Sequence, residues 1–369
     1  MAMIVRAAVT CRVVEGNVVV PTRYGPGVPA RAHVYVQLTD AEGNTGVGEA
    51  SPLPYFTGET PAAVAETARL LAPLAVGCDA LDLGGVAARL ARYPGQGAAK
   101  CAVDAAAHDL AARSLGVPLA SLLGSEAGAT LPCTGVIGIG VTATEQAREH
   151  AAEGIGTLKM KVGRDVAADI RRVWAVRGAV GNGVRLRLDG NAGLSLADAL
   201  ALVRGVSDLG VELFEQPVRA DDLHGMRTLR EAGARILADE SVHTLRDAIR
   251  VLEAGAADAV VIKLIKCGGL RAAREIAAVA AAYGAECVFV SPYETAVGMA
   301  TTAHAAAAFG TRRYAHDLFR TLQDGGGSWA HAAVPGGMCL SASAPGHGAA
   351  VGAEAAARLQ EEIAESRSR

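Results

Sequence analysis

The chain reads RLDGN at residues 187–191, LFEQP at 213–217 and LADES at 237–241, and each of these segments ends a short apolar run with a carboxylate. The three carboxylates are separated by 26 and 24 residues. A strand, a helix and two loops need about this many residues, because two parallel strands require a crossover connection of roughly a dozen residues or more. The spacing therefore predicts one strand–helix unit per carboxylate, with the charged group at the carboxyl end of each strand.

A similar spacing of functional residues continues in both directions along the chain. Lys161 lies 28 residues before the first carboxylate, Lys263 lies 24 residues after the last, and Ser291 and Asp317 follow after further steps of 28 and 26. The repeat is carried by eight apolar runs, at residues 133–139, 157–162, 185–189, 211–215, 235–238, 259–264, 287–291 and about 312–317. Eight strands that alternate with alanine-rich helices predict an α/β fold of the (β/α)8 type, a modified TIM-like barrel over residues 126–320. In such barrels the chemistry lies at the carboxyl ends of the strands.

Residues 1–125 have a different pattern, which predicts an α+β capping domain. Strands are expected near residues 4–14, 33–38 and 45–49, and helices near 61–75, 80–92 and 98–115. Two loops, at 21–31 and 51–59, interrupt these elements. We expect the C-terminal segment 321–369 to return to this domain.

Composition and charge exclude several functional classes. The net charge of −3 and the pI of about 6.3, without a basic stripe, argue against a nucleic-acid partner. No apolar stretch approaches the roughly 18 residues of a membrane span. Seven scattered cysteines predict reduced thiols in a cytoplasmic protein, for which we also expect a homo-oligomer. Aromatic residues make up only 4% of the chain and alanine is abundant, so the helices are expected to pack closely on small side chains.

The three strand-end carboxylates, Asp189, Glu215 and Asp239, predict a metal site. One such group alone is usually a helix N-cap or a loop charge. On consecutive strands about 4.8 Å apart, however, three carboxylates would repel one another and raise one another's pKa unless a cation lay between them. Oxygen ligands favour Mg²⁺, with Mn²⁺ as the alternative, over zinc.

Lysines flank these carboxylates along the chain. Lys159 and Lys161 are two residues apart and therefore face the same side of one strand, and a pair of surface lysines is the alternative interpretation. The apolar Met160 between them fits outward packing beneath the helices, which favours lysines that face the barrel interior. There, burial and mutual repulsion would lower the pKa of a lysine towards about 8, which suits a general base.

Three more charged residues lie in the second half of the predicted barrel. Lys263 stands in the apolar run AVVIKLI and would face the first lysine pair across the barrel, because it lies four strands away. Lys266 is interpreted as an exposed loop cation. Asp317 is interpreted as either a substrate contact or a helix N-cap.

Taken together, these residues resemble the enolase superfamily, and in particular its muconate-lactonizing subgroup. The matching segments are KMK at 159–161, LDGN at 188–191, EQP at 215–217, ADES at 238–241, IKxxKxGG at 262–269, GVGEASPLPYFTGET at 46–60 and PGHGAAV at 345–351. The resemblance thus covers nearly the whole chain, and the spaced set is far more specific than any one segment.

The resemblance implies a reaction scheme. Asp189, Glu215 and Asp239 would bind Mg²⁺, which binds the carboxylate of a small-molecule substrate. Lys161 and Lys263 would flank the α-carbon on its two faces, so that one removes the α-proton while the metal stabilises the enediolate. By the same resemblance, Lys159 would help to hold the carboxylate, and loops 21–31 and 51–59 would cap the pocket. We also expect substrate contacts from Ser291, Glu294, Asp317, Tyr24 and Tyr55, and a supporting role for Asn191, Glu240 and Lys266.

The resemblance leaves the exact reaction open. The histidine base of mandelate-racemase-like relatives is absent after the seventh strand, where the chain reads SPYE at 291–294. Dipeptide epimerases of the subgroup carry Asp-x-Asp at the last strand, whereas DLF at 317–319 is closer to the Glu-Leu-Phe of muconate cycloisomerases. We expect a racemase or epimerase of an amino-acid derivative, either a dipeptide or an N-acyl amino acid. The alternatives are a muconate-type cycloisomerase, an o-succinylbenzoate synthase-like lyase and a barrel that binds a metal–carboxylate ligand without turnover.

Overall fold

The computed structural model describes residues 2–15, 20–22, 30–318 and 327–367. The strands are β1 (Ile4–Glu15), β2 (Ala30–Asp40), β3 (Thr45–Ala50), β4 (Thr130–Pro132), β5 (Thr134–Ile137), β6 (Thr157–Lys161), β7 (Arg185–Asp189), β8 (Val211–Glu215), β9 (Ile236–Ala238), β10 (Ala259–Ile262), β11 (Glu286–Phe289), β12 (Ser328–Trp329), β13 (His331–Val334), β14 (Gly337–Leu340) and β15 (Ala349–Ala350). The helices are α1 (Pro54–Thr57), α2 (Pro61–Leu71), α3 (Leu83–Leu90), α4 (Gly97–Ser114), α5 (Leu119–Leu122), α6 (Ala143–Ala152), α7 (Val166–Val180), α8 (Leu196–Gly205), α9 (Leu223–Glu231), α10 (Leu245–Glu253), α11 (Leu264–Cys267), α12 (Leu270–Ala282), α13 (Ala296–Phe309) and α14 (Ala353–Arg367).

Strands β5 to β11 form one parallel sheet in which each strand pairs with its neighbour along the chain. The sheet closes on itself through His316, which forms a parallel bridge with Cys133, and through Asp317, which forms one with Val290. The predicted (β/α)8-type barrel is therefore confirmed. Its eighth position, predicted as a strand over 312–317, is reduced to these two bridges.

The strand register places the charged residues together. Lys161 lies opposite Asp189, and Asp189 lies opposite Glu215, at the carboxyl ends of β6, β7 and β8. Side chains alternate between the two faces of a strand, so Met160 packs on the outer face while Lys159 and Lys161 face the interior. The predicted inward orientation of the lysine pair agrees with their contacts, described below.

The amino-terminal part contains an antiparallel sheet, β1–β2–β3, which packs against α2 and α4. Gly48 on β3 approaches α4 so closely that a Cβ atom there would lie 2.0 Å from the carbonyl oxygen of Ala102. Alanines supply many of the buried residues of α4. This close contact confirms the expected packing on small side chains, because neither partner has room for a larger group.

The C-terminal segment contacts the amino-terminal part. Helix α14 packs on β1, and His347 Nε2 lies 2.9 Å from the carbonyl oxygen of Val47. Strand β14 also pairs with β4, just before the barrel begins. The division into domains at residue 125 stays a prediction. Among the described residues, no helix has both the length and the apolar character to cross a membrane.

Candidate active site

A cavity of about 290 Å³ lies at the carboxyl ends of the barrel strands. From the barrel it is lined by Lys159, Lys161, Asn191, Glu215, Lys263, Ser291, Tyr293 and Asp317, among others. The amino-terminal part contributes Thr22, from the beginning of loop 21–31, and Tyr55 and Phe56 from α1. Both predicted capping loops thus reach the cavity, whereas Tyr24 lies outside the described residues.

The Lys159 ammonium group lies among three carboxylates. Its Nζ donates to the two oxygens of Glu215 at 3.2 and 3.1 Å, lies 3.4 Å from Asp189 Oδ2, and contacts Asp317 Oδ2. Burial opposes the charge, but the carboxylates, led by that of Asp317, outweigh it and hold the pKa of Lys159 well above its ordinary value. Lys159 is therefore a fixed positive charge, which suits the holding of a substrate carboxylate better than proton transfer.

Lys161 is held by the neighbouring strand. Its Nζ donates to Asp189 Oδ2 at 2.5 Å and to Asn191 Oδ1 at 3.1 Å. Burial favours the neutral amine, yet the Asp189 carboxylate prevails and raises the pKa of Lys161 above its ordinary value. The expectation of a lowered pKa is wrong for this arrangement, because it left out the carboxylate that faces Lys161 in the strand register. Asp189 thus keeps Lys161 protonated unless another cation shares the carboxylate.

Asp239 organises the opposite side of the cavity. Lys263 Nζ donates to its Oδ2 at 2.5 Å, and Lys266 Nζ donates to its Oδ1 at 2.7 Å and to its main-chain oxygen at 2.8 Å. Despite burial, these two ammonium groups hold the pKa of Asp239 well below its ordinary value. The ring of Phe56 covers Lys263 Nζ at 3.9 Å.

The interpretation of Lys266 as an exposed loop cation is wrong. Lys266 is only 6% exposed to solvent. The physical reason is the short helix α11, which begins directly after Lys263 and returns the Lys266 side chain beneath the end of β10, where the carbonyl of Val261 lies 3.3 Å from Nζ. Lys266 Nζ is therefore buried and hydrogen-bonded to Asp239 rather than exposed to solvent.

The three strand-end carboxylates supply the type of donor atom that a divalent cation prefers. Each is at most 2% exposed, and their donor atoms are oxygens only, which suits Mg²⁺. Burial, with the nearby Asp189, raises the pKa of Glu215 to about 8, and burial with Asp239 raises that of Glu240 to about 7. Such shifts mark an excess of buried negative charge that a cation would relieve. Within the described residues, no group of three or more Asp, Glu, His or Cys side chains is arranged so that it could hold a metal ion as it stands.

The predicted substrate contacts divide into two groups. Ser291, Asp317 and Tyr55 line the cavity. Glu294 does not: it is 1% exposed, and its Oε2 accepts a hydrogen bond from Thr302 Oγ1 at 3.0 Å. Its assignment as a substrate contact is wrong for this arrangement, because its side chain turns inward against the first turns of α13.

Backbone strain marks the same end of the barrel. Five non-glycine residues of the described chain have a positive φ, and four of them lie in the loops that follow barrel strands: Asn191 (45°), Ala192 (59°), Gln216 (30°) and Tyr293 (61°). Conformations of this kind cost about 1–3 kcal/mol each and persist where the surroundings over-determine them. Their clustering here indicates that the strand ends are held in shape by many contacts at once.

Several residues that the sequence analysis did not single out shape the site. Thr134 lines the cavity, and its buried hydroxyl has no hydrogen-bond partner among the described residues. Gln216 Oε1 accepts hydrogen bonds from the backbone amides of Asp239 and Ser241 at 3.0 and 3.1 Å. For Lys266, which was interpreted as an exposed cation, the sequence does carry one sign of its true location: the chain has only five lysines among its 35 basic residues, and four of them lie here.

Comparison with known proteins finds two family matches. Residues 9–124 match the mandelate racemase / muconate lactonizing enzyme N-terminal domain, and residues 142–355 match the family described as enolase C-terminal domain-like.

Individual relatives include two kinds of isomerase. The L-Ala-D/L-Glu epimerase of Bacillus subtilis (strain 168) is 38% identical over 285 residues, covering 74% of this chain and 77% of that protein. Muconate cycloisomerase 1 of Rhodococcus opacus is 34% identical over 308 residues, covering 79% and 82%. The crystal structure of a dipeptide epimerase from Enterococcus faecalis V583, complexed with Mg and the dipeptide L-Leu-L-Tyr, matches with a TM-score of 0.88 at 29% identity, covering 94% of this chain and 99% of that one.

Proposed function

The chain belongs to the mandelate racemase / muconate lactonizing enzyme family of the enolase superfamily and is an isomerase, and from that premise we propose that it is a Mg²⁺-dependent racemase or epimerase. The substrate is an amino-acid residue with a free carboxylate and an acylated nitrogen, either within a dipeptide or as an N-acyl amino acid. The relatives that are racemases and epimerases support this class of reaction. The alternative of a barrel without turnover is set aside, because the relatives are enzymes.

The observation that carries the proposal is the pair of lysines on opposite sides of one cavity. Lys161 ends β6, the second barrel strand, and Lys263 follows β10, the sixth, so that they lie across the barrel from each other while both line the same space. A 1,1-proton transfer needs a base on one face of the α-carbon and an acid on the other. Each lysine can serve either role, depending on which stereoisomer is bound.

The other residues hold the substrate and compensate charge. Asp189, Glu215 and Asp239 are the residues that would hold Mg²⁺, which supplies electrostatic stabilisation of the substrate carboxylate as the α-proton leaves. Lys159, already paired with carboxylates, can transfer its contact to the substrate carboxylate. Tyr55 and Phe56 cover the cavity and exclude water, which strengthens every charge interaction inside.

The test is deuterium incorporation at the α-carbon. The protein is incubated in D₂O with Mg²⁺ and a panel of dipeptides, N-acyl amino acids and muconate, and exchange is followed by NMR and mass spectrometry. We expect α-deuteration together with inversion for at least one amino-acid derivative, loss of both with EDTA, and recovery with Mg²⁺ or Mn²⁺. Exchange that persists in EDTA would contradict the metal-dependent part of the proposal.

Cycloisomerisation is the second candidate, because Phe319 stands where dipeptide epimerases are expected to carry a second acidic residue, and because Asp317 is already paired with Lys159. The same experiment separates the two functions. A wild-type protein that lactonises muconate but incorporates no deuterium into any amino-acid derivative would establish this candidate in place of the first.

A further inference from the structure

Glu49, at the end of β3 in the amino-terminal part, is a buried carboxylate with four hydrogen-bond donors. It is 2% exposed. Its Oε1 lies 2.7 Å from His33 Nδ1 and accepts from the backbone amide of Thr295 at 2.9 Å. Its Oε2 accepts from Thr295 Oγ1 at 2.5 Å and from the backbone amide of Gly298 at 2.8 Å. Burial alone would raise the pKa of Glu49, but these donors hold it below its ordinary value.

These contacts replace the usual N-cap of barrel helix α13. Thr295 is the N-cap residue, yet its side chain does not accept a hydrogen bond from the helix. Its hydroxyl instead donates to Glu49. Glu49 in turn accepts a hydrogen bond from the amide of Gly298, the third residue of the helix, which an N-cap side chain ordinarily accepts. A side chain of β3 thus satisfies an amide at the start of the helix that the helix's own N-cap residue leaves without its usual acceptor. Tyr35 on β2 adds a hydrogen bond to Thr295 Oγ1 at 3.1 Å.

The segment directly before α13 forms part of the cavity. Val290, Ser291, Pro292 and Tyr293 all line it. Tyr293 has the left-handed φ of 61°, a conformation that a bulky residue keeps only when its surroundings impose it. On one side Arg31 stacks over the Tyr293 ring at 4.1 Å, and Ser51 Oγ lies 3.4 Å from its carbonyl oxygen. On the other side the segment is fixed by the start of α13.

We propose that Glu49 is a positioning residue for the proton-transfer reaction, because it anchors the start of α13 and thereby holds Ser291 and Tyr293 in the shape that receives the substrate. The inference rests on the proposed function for its kinetic consequence only. Glu49 itself is not among the described residues that line the cavity, so it acts through the segment 290–295. The capping part of the molecule would thus cover the cavity and also hold the barrel segment 290–295 in the conformation that lines it.

A second buried carboxylate provides the matched control. Asp109 is 0% exposed and also accepts backbone hydrogen bonds, from Val47 at 3.0 Å and His347 at 2.9 Å. It joins β3, α4 and the C-terminal segment, and none of these partners lines the cavity. Asp109 also pairs with Arg113 Nε at 2.8 Å. The substitution Asp109→Asn therefore removes a buried carboxylate charge without touching the segment before α13.

The experiment compares Glu49→Gln with Asp109→Asn in the full-length, Mg²⁺-loaded protein. An amide presents an N–H group to donors that need an acceptor, so at least one of the four contacts of Glu49 is lost. We expect kcat/KM to fall about 10–100-fold in Glu49→Gln, since a misplacement of about 1 Å at a site can cost 10²-fold, and to change less than about threefold in Asp109→Asn. Amide hydrogen exchange of peptides covering 290–298 should accelerate in the first variant only.

Equal kinetic constants and equal exchange of 290–298 in wild type and Glu49→Gln would overturn the proposal, whatever the change in stability. Should Glu49→Gln fail to fold, Thr295→Val removes the hydroxyl from the barrel side. Thr301→Val on the same helix is its control, because Thr301 Oγ1 donates to the helix's own carbonyl at Val297 at 2.8 Å. In that pair, equal exchange and kinetics overturn the proposal. The exchange measurement needs no substrate, so it decides on Glu49 even if the wild type isomerises no amino-acid derivative.

Discussion

Lys161 and Lys263 occupy corresponding positions on opposite sides of one cavity, but their surroundings differ. Lys161 is paired with Asp189 and Asn191, both from the next barrel strand. Lys263 shares the carboxylate of Asp239 with Lys266 and lies beneath an aromatic ring supplied by the capping part. Among the described residues, the hydrogen-bond partners of Lys161 come from the barrel, whereas Lys263 is held by the barrel and covered by a ring of the capping part. The two faces of the substrate can therefore be perturbed separately.

The largest expected effect comes from removing one lysine at a time. Lys161→Ala should abolish α-proton exchange from one stereoisomer, and Lys263→Ala from the other, because each lysine removes the proton from its own face. The loss should be about 10²–10⁴-fold, the range of general acid–base contributions. The measurement is the initial rate of α-deuteration of each pure stereoisomer in D₂O. A variant that slows both stereoisomers equally would contradict the assignment of one lysine to each face.

A pH effect on stability should arise behind the cavity, independently of both lysines. Burial, together with the neighbouring Glu49, raises the pKa of Glu294 to about 8, whereas in the unfolded chain it is near the ordinary value of about 4.3. Between these values the folded state retains a proton that the unfolded state releases. The contribution of Glu294 to stability is therefore complete below about pH 4, and it falls by about 1.4 kcal/mol per pH unit as the pH rises towards 8.

The substitution Glu294→Gln should remove this pH dependence, because glutamine keeps the shape without an ionisable group. The free energy of unfolding, from urea titrations at pH 5.5 and 8.5, should fall less with pH in the variant than in the wild type. Glu286→Gln, at the partly exposed start of β11, is the control and should leave the slope unchanged. An identical slope in wild type and Glu294→Gln would show that Glu294 is already ionised in the folded protein.

The location of the charged residues could be predicted from the sequence. The spacing of Lys161, Asp189, Glu215, Asp239 and Lys263 predicts the barrel and brings all five to one end, because a strand–helix unit has a nearly fixed length and only one end of the sheet collects strand termini. This prediction depends on the spacing of residues along the chain and on its periodicity, and both can be read from the sequence alone.

The incorrect expectations have a different origin. Lys266 and Glu294 each follow a strand by a few residues, and their burial is decided by the helices that begin there, α11 and α13. The pKa of Lys161 was expected to be low because the sequence shows its like-charged neighbour but not the carboxylate across the strand pair. Phe56 and Thr134 carry no chemical signature of their own. Such features arise from tertiary contacts, which periodicity does not encode.

Lys266 allows a further test of the difference between the Lys161 side and the Lys263 side of the cavity. Lys266→Met should weaken Mg²⁺ binding about 10–100-fold, the usual consequence of losing a group that orients a metal ligand, because Asp239 Oδ1 would lose its partner. Isothermal titration of Mg²⁺ measures this directly, and Arg358→Met, at an exposed cation of helix α14, which packs on β1, serves as the control. With saturating Mg²⁺ both stereoisomers should recover together, since the defect lies in the metal site rather than in one face. Failure of only one stereoisomer to recover would instead place Lys266 in proton transfer.

The smallest expected effect comes from Phe56, which contacts Lys263 and should therefore affect only one of the two lysines. The Phe56 ring lies 3.9 Å from Lys263 Nζ, so its face stabilises the positive charge that develops as Lys263 takes the α-proton. Cation–π contacts are worth about 0.5–2 kcal/mol, and Phe56→Leu keeps the apolar cover while removing this attraction. Deuteration of the stereoisomer served by Lys263 should therefore slow about 2–10-fold, with the Lys161-dependent stereoisomer changed by less than about twofold. Tyr55→Leu, on the same short helix, should change both rates by a similar factor. If Phe56→Leu also slows both equally, the ring acts only as a cover, and the two lysines are more alike than their surroundings indicate.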